Sequence, residues 1–192
     1  MSYISQRESA FDKYISGRLY PCAGNGYSTI SNTAVGAIDL IYFVPFFLEK
    51  PMSFTNGAVW VNTGGAGSSV KGGIWANSTV SQRPLGAPLY KDDTGAATTS
   101  SSAAATLAFG AGTLQPFTIY WAGTKYTGTL PTMRSIPNTD LGSLSRFAGL
   151  TQLNQTHITF ADTYSNNNPT IAEGASFSAG TNTCPIVYLT AT

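Results

Sequence analysis

Short apolar runs separated by neutral polar stretches recur along most of this chain. From Tyr20 onward, segments rich in Val, Ile, Phe, Tyr and Trp place apolar side chains at alternate positions, and stretches of Gly, Ser, Thr and Asn separate them. Alternation with a period of two is typical of β-strands that bury one face. We therefore predict an all-β body.

The longest apolar run covers residues 37–48 and is interrupted by Asp39 and Pro45. A continuous apolar run of this length predicts a strand that is covered on both faces. Because proline cannot donate a hydrogen bond to a β-ladder, we expect a bulge or a sheet edge at Pro45.

Residues 54–62 and 69–76 flank a Gly-rich stretch, which predicts a β-hairpin. On these two strands the alternation directs the valines and Ile74 toward the core, and Trp60 and Trp75 toward the opposite face. Two large aromatic side chains on one face are costly to leave in water. We therefore expect that this face is covered or binds a partner.

Further strands follow at a spacing that is typical of a β-sandwich. We predict them at residues 105–109, 117–122, 157–161 and 185–189, the first two as a pair. Residues 82–88 and 94–104 are rich in proline or in small residues, and we predict surface loops there.

A short amphipathic helix is predicted at the N-terminus. Ser5 followed by Glu8 fits a capping box, and Phe11, Tyr14 and Ile15 share one face at helical spacing. A helix of this length is marginal alone in water, so its apolar face needs a partner. Either the β-body of the same chain or another subunit fits this requirement.

Taken together, the patterns predict a jelly-roll-like antiparallel β-sandwich over residues 17–192, preceded by an N-terminal α-helical segment, residues 1–16. A chain of 192 residues buries most of its apolar surface without cross-links. Cys22 and Cys184 lie near opposite ends of the chain and do not have a metal-ligand spacing. Two buried thiols and one disulfide bridge are both compatible with this pattern.

Charge is sparse, since only 10% of the residues are Asp, Glu, Lys or Arg and the net charge is +1. The basic residues are scattered, whereas a nucleic-acid interface needs a dense positive patch. The longest apolar stretch is too short to span a bilayer. We therefore expect neither nucleic-acid binding nor insertion into a membrane.

Catalytic chemistry has few candidates in this sequence. The only histidine, His157, falls on a predicted strand without a nucleophile motif, and we expect an ordinary hydrogen-bonded side chain there. Asp92 and Asp93 sit in turn-forming sequence, and the glycines at 64–67 lack the lysine and helix of a phosphate-binding loop. We predict no catalytic residue, no metal site, no cofactor and no enzyme activity.

Aromatic residues near Asn, Thr and Ser are the remaining functional signal. Such side chains stack on sugar rings while neutral neighbours hydrogen-bond to hydroxyl groups. They are equally common in subunit interfaces, and ordinary packing is a third explanation. Our candidate glycan contacts are Trp75, Tyr90, Tyr126 and Tyr164. Our candidate contacts with other subunits or with a particle are Phe11, Tyr14, Ile15 and Trp60.

Six stretches in a fixed order carry a family resemblance over roughly residues 17–150. They are residues 17–21, 40–47, 54–75, 114–121, 131–135 and 141–149. In that order they resemble a module of structural proteins from tailed bacteriophages and gene transfer agents. The resemblance implies a fibre or spike component of a head or tail, with a β-sandwich similar to carbohydrate-binding domains and a homotrimeric assembly.

The resemblance also implies a function. We expect a virion structural protein that is assembled in the host cytoplasm, attached to other virion proteins through residues 1–16, and displayed on the particle surface. There it would contribute to adsorption on host-surface polysaccharide. A decoration or baseplate protein without glycan binding is the first alternative, and a polysaccharide depolymerase with a remote pair of carboxylates is the second.

Overall fold

The computed structural model describes residues 14–22, 31–136, 157–180 and 184–192. Within these ranges there are fourteen strands and no helix, so the prediction of an all-β fold is confirmed. In chain order the strands are β1 (Leu19–Cys22), β2 (Ser31–Ala34), β3 (Leu40–Phe46), β4 (Met52–Thr63), β5 (Ser69–Asn77), β6 (Pro84–Ala97), β7 (Ala103–Leu107), β8 (Gly112–Leu114), β9 (Tyr120–Thr127), β10 (Thr132–Ile136), β11 (Ile158–Ala161), β12 (Ser178–Ala179), β13 (Cys184–Pro185) and β14 (Val187–Ala191).

The strands form two antiparallel sheets. The eight-stranded sheet has the order β1-β14-β4-β10-β13, with β2 paired to β10 and with β7 and β8 paired to β4. The six-stranded sheet has the order β12-β11-β3-β9-β5-β6. Side chains from both sheets form the main core, an arrangement that is consistent with a β-sandwich.

The predicted hairpin between β4 and β5 is wrong, because these strands lie in different sheets. Both strands direct valines into the same core, so they stack face to face across it instead of pairing edge to edge. The Gly-rich stretch at residues 64–68 therefore crosses from one sheet to the other. It runs beside the crossing at residues 98–102, and the Gly65 N–H donates to the Thr98 carbonyl at 3.1 Å. A Cβ atom at Gly64 would collide with the carbonyl of Thr99.

Two other predictions of local structure are also wrong. The strands predicted at residues 105–109 and 117–122 do not pair, since β7 joins β4 and β9 joins β3 and β5. Much of the predicted loops at 82–88 and 94–104 belongs to β6 and β7. Strand β6 lies at the edge of its sheet and its register shifts twice, which accommodates prolines.

The turn chemistry expected at Asp92 is present, but inside β6. Its Oδ1 atom accepts hydrogen bonds from the N–H groups of Thr94 and Gly95, at 2.9 and 2.8 Å. These bonds close the bulge where residues 93–95 of β6 lie opposite Lys71 of β5. The other carboxylate oxygen accepts from the Ala108 N–H at 2.9 Å and so ties β6 to the eight-stranded sheet.

Strand β3 is covered on both faces, as its continuous apolar sequence predicts. Ile41 and Phe43 point to one side of the sheet, and Tyr42 and Val44 point to the core between the sheets. The register with β11 ends at Phe43, so Pro45 pairs with β9 only. This agrees with the expectation of a local edge at the proline.

The outer face of the six-stranded sheet is covered by residues 162–177, which we call the covering segment. Trp75 lies under it, and its Nε1–H donates to the Pro169 carbonyl at 3.1 Å. The indole fits flat because Gly73 pairs with Gly123 beneath it. A Cβ atom at Gly123 would lie only 2.8 Å from the Trp75 ring.

The prediction that Trp60 and Trp75 share one face is wrong, because their strands belong to different sheets. The cover expected for that face is present over Trp75 within the same chain, whereas Trp60 is partly exposed.

A fully buried lysine binds the covering segment to the sheet. The Nζ atom of Lys125 contacts the Asp162 carboxylate at 2.5 Å and the carbonyl oxygens of Thr163, Asn166 and Asn167 at 3.2, 3.0 and 3.1 Å. An ammonium group has three protons to donate, so four oxygens at these distances satisfy it completely.

An asparagine adds a second attachment point between the covering segment and the sheet. The Asn168 amide donates to the carbonyls of Gly72 and Asp92 at 3.1 and 2.9 Å. Its main-chain N–H donates to Asp93 Oδ1 at 2.7 Å. Burial favours the neutral form of Asp93, but the hydrogen bonds from Asn168 and Lys91 lower the pKa of this carboxyl below its ordinary value.

The predicted N-terminal helix lies largely outside the described residues. Its last two apolar positions are described and are not helical. Tyr14 packs edge to face against Tyr20, at 4.7 Å between ring centroids, and contacts the core of its own chain. Ile15 points away and is 62% exposed.

The two cysteines are buried and unpaired, which agrees with one of the two alternatives left open by the sequence. Cys22 lies in β1 and Cys184 in β13, both within the core between the sheets. Burial raises the pKa of both thiols, and this keeps them protonated and unreactive.

We predict that Lys125→Met lowers the free energy of unfolding by roughly 3 kcal/mol, because it leaves a carboxylate and three carbonyls without their donor. Lys91→Met is the matched control, since it removes a lysine that is half exposed and pairs with Asp93 at 2.6 Å. We expect the control to cost less than about 1 kcal/mol. Urea unfolding measures both values, and equal losses would contradict the structural role of Lys125.

His157 generates a pH prediction. It lies directly before β11, and burial lowers its pKa from 6.5 to about 4. The unfolded chain therefore binds a proton at this histidine more readily than the folded chain does. The contribution of neutral His157 to the free energy of unfolding is complete above pH 6.5 and is lost as the pH falls toward 4. Between pH 7 and pH 5 this histidine should cost the fold about 2 kcal/mol. The free energy of unfolding of His157→Gln, measured over the same pH range, should depend less on pH than that of the wild type. The same pH dependence in variant and wild type would contradict the prediction.

Candidate functional site

Two of the four candidate glycan contacts are wrong, because their side chains cannot reach a ligand. Trp75 and Tyr126 have no exposed surface. Trp75 lies beneath the covering segment, and Tyr126 lies in the core on the opposite side of the six-stranded sheet. A ring must present one face to solvent to stack on a sugar, and neither ring does.

The other two tyrosines are half-buried and engaged within the chain. Tyr90 packs edge to face on Phe54 at 4.9 Å, and its hydroxyl both donates to and accepts from the main chain of Thr113 at 3.1 Å. Tyr164 holds the Lys71 ammonium over its ring at 4.9 Å. The structure therefore does not bring the four predicted residues together as one site.

Trp60 instead lies on the outer face of the eight-stranded sheet, where period-two alternation exposes a different set of side chains. Its neighbours Val59 and Val61 enter the core. The same rule turns Tyr188 outward between two buried residues of β14 and turns Arg134 outward between Met133 and Ser135 of β10.

These side chains meet because two strands share the same side of β4. Strand β14 pairs with residues 54–59, and β10 pairs with residues 61–63. Trp60 therefore lies where one partner strand gives way to the other. The guanidinium carbon of Arg134 lies over the Trp60 ring, at 4.9 Å from its centroid, within the range of a cation–π contact.

The result is a groove of about 210 Å³, which we call the Trp60 groove. It is lined by Leu19, Ala58, Val59, Trp60, Ala104, Arg134 and Tyr188. Aliphatic and aromatic residues form its walls, and a single guanidinium supplies its charge. This lining offers ring stacking and hydrogen-bond donors, which is binding chemistry. None of the lining residues carries a carboxylate that could act as a general acid or base.

The candidate interface residues are spread over the chain. Phe11 lies outside the described residues, and Tyr14 packs on its own β-body. Larger apolar exposure occurs at one end of the molecule, where Val80 is 84% and Phe117 is 80% exposed. Their loops leave the six-stranded sheet at the same end, since Ala76 of β5 pairs with Tyr120 of β9.

In the part of the chain that the structure describes, no group of three His, Cys, Asp or Glu side chains could hold a metal ion. No helix long and apolar enough to cross a membrane occurs there either.

Sequence reasoning missed Arg134 and Tyr188. Both carry a usable signal, since each interrupts a run of buried residues at the outward position of a strand. That signal predicts which face they occupy. It does not predict that β10 and β14 meet beside Trp60, because strand order is not encoded in local alternation.

The environments of the three tryptophans generate a prediction. Trp75 and Trp121 are fully buried, whereas Trp60 is partly exposed. We expect acrylamide to quench only a minor part of the tryptophan emission. Trp60→Phe should abolish that quenchable part while the rest of the emission persists. A quenchable fraction that survives in Trp60→Phe would contradict the placement of the groove.

A scan against models of known protein families and a search of curated proteins find no match to this chain. The resemblance to phage fibre and spike modules therefore stays a prediction from the sequence.

Proposed function

We propose that this chain is a virion structural protein, a fibre or spike component displayed on a particle, which contributes to adsorption on host-surface polysaccharide through the Trp60 groove. The observation that supports this proposal is the groove itself. It combines a partly exposed indole, a tyrosine and a guanidinium on a sheet face whose other described strand residues are neutral.

The groove suits a sugar for physical reasons. The apolar C–H faces of a pyranose stack on Trp60 or Tyr188, and its hydroxyl groups accept hydrogen bonds from Arg134. Ala58 and Ala104 are too short to block the approach of a ring between the larger side chains. Residues such as Thr106 and Thr190 extend this outer face with hydroxyl groups.

The proposal includes an architecture and an assembly. We propose that the two sheets form a jelly-roll-like sandwich, that residues 1–16 attach to other virion proteins through a helix that ends before Tyr14, and that the protein is a homotrimer. Repetition of the groove in a trimer would let weak contacts act together, since linked sites gain from effective concentration. Affinity for a single saccharide can then be low without preventing adsorption.

The structural alternative, decoration of a particle without glycan binding, has one observation in its favour. Phe117 exposes most of its ring and adopts a φ of +55°, a backbone conformation that a residue with a side chain rarely takes. Val80 lies in a loop at the same end. An exposed ring on a strained turn suits contact with a neighbouring subunit.

One experiment separates these functions. The full chain is tested for binding to immobilised bacterial capsular polysaccharides and lipopolysaccharides, with release of fragments measured in parallel. We expect binding without fragments, and Trp60→Ala should weaken it about tenfold or more, which corresponds to roughly 1.4 kcal/mol from a lost stacking contact. Phe117→Ser is the matched control, since it removes an aromatic ring elsewhere and should leave binding unchanged.

Other outcomes would contradict the proposal. If no polysaccharide binds and light scattering shows that Phe117→Ser reduces the oligomer mass, the structural alternative holds. Release of fragments would indicate the depolymerase. Equal binding by wild type and Trp60→Ala would place adsorption outside the groove.

A further inference from the structure

The guanidinium of Arg134 is the charged group of the Trp60 groove, and its surroundings limit what it can bind. The residue is exposed. Among the residues that the structure describes, no carboxylate lies within ion-pair distance of it. Its guanidinium lies over the face of Trp60, which accepts no conventional hydrogen bond from the guanidinium edge.

Lysines elsewhere in the described ranges show the contrast. Lys71, Lys91 and Lys125 each contact an oxygen of the same chain, either a carboxylate or a main-chain carbonyl. The protein thus supplies oxygen acceptors for these cations. It supplies an aromatic face for Arg134, which positions the guanidinium and leaves its N–H donors for an external acceptor.

The main chain holds Arg134 in place. Arg134 pairs with Asn32 of β2 on one side, and the Arg134 carbonyl accepts a hydrogen bond from the Ile186 N–H at 3.0 Å. Stacking on Trp60 restricts the side chain further. A guanidinium held in this way loses less conformational entropy on binding than a free surface arginine does.

We propose that the Trp60 groove selects saccharide units that carry a carboxylate, such as uronic or nonulosonic acids, and that the carboxylate forms a bidentate ion pair with Arg134. This inference rests on the proposed adsorption function and names its ligand class. The planar guanidinium presents paired N–H donors that match a planar carboxylate. The sugar ring then lies against the aromatic and aliphatic walls.

Charge and size favour this ligand over other anions. The lining contains one cation among apolar walls, which balances a singly charged group. A phosphate monoester at neutral pH carries more charge and would need further cations to compensate its lost hydration. A groove of about 210 Å³ is small for a binding pocket, which suits a single sugar unit with the rest of the polymer outside.

The test uses the immobilised polysaccharides that contain uronic or nonulosonic acids, before and after chemical reduction of their carboxyl groups to alcohols. Wild-type protein should bind the acidic form at least tenfold more tightly than the reduced form. Arg134→Gln should lower this preference to within about twofold, because the bidentate ion pair is lost. Arg134→Lys, which keeps the charge without the planar fork, should retain part of the preference. Lys91→Gln is the charge-matched control and should behave as wild type.

The outcomes separate this inference from the adsorption function. If wild type binds acidic and reduced polymers equally, the inference is wrong and adsorption through the groove stands. If Arg134→Gln still prefers the acidic polysaccharide to its reduced form, another cation binds the carboxylate and the inference is also wrong. Tighter binding to glucose 6-phosphate than to trigalacturonic acid would show that the groove prefers phosphate, and it would contradict the inference that the groove selects a carboxylate. Absence of binding to every polysaccharide would overturn both proposals.

Discussion

The packing of this protein depends on a lysine ammonium that closes the second face of the six-stranded sheet. The covering segment has little regular structure, so its carbonyl groups need donors from elsewhere once they leave water. Lys125 provides them from the sheet, and Asp162 balances its charge. A buried lysine is costly alone, and the four oxygens around it offset that cost. Trp75 and Trp121 stay dry because this segment is held in place.

The covering segment encloses the outer face of the six-stranded sheet, whereas the outer face of the eight-stranded sheet remains in contact with solvent. In the described ranges the outer face of the eight-stranded sheet carries small and hydroxyl-bearing residues together with Trp60, Tyr188 and Arg134. On the outer faces of the two sheets, large apolar side chains therefore lie beneath the covering segment, and only a few lie on the exposed face of the eight-stranded sheet. That division leaves the Trp60 groove, with its aromatic rings and its guanidinium, on the exposed face of the eight-stranded sheet.

The sequence predicted the strands and their faces better than their partners. Alternation correctly turned Trp60 and Trp75 away from the core, and the apolar run of β3 correctly indicated two covered faces. The Gly-rich stretch at 64–68 suits a hairpin and a crossing between sheets equally well, so the pairing was wrong. The choice of Trp75 as a glycan contact was wrong because its cover is supplied by the segment around Pro169, a residue ninety-four positions away. Contacts between residues so far apart in sequence depend on the topology of the fold, which local sequence patterns do not encode.

The Trp60 groove gathers strands from nearly the whole length of the polypeptide, from Leu19 near its start to Tyr188 near its end. Contacts between such remote positions form late, because long loops must close before they are made. A nascent or truncated subunit therefore has the individual side chains but no groove. The groove is therefore complete only after β14 has docked, and under the proposed function a subunit acquires its polysaccharide-binding surface at that last step of folding.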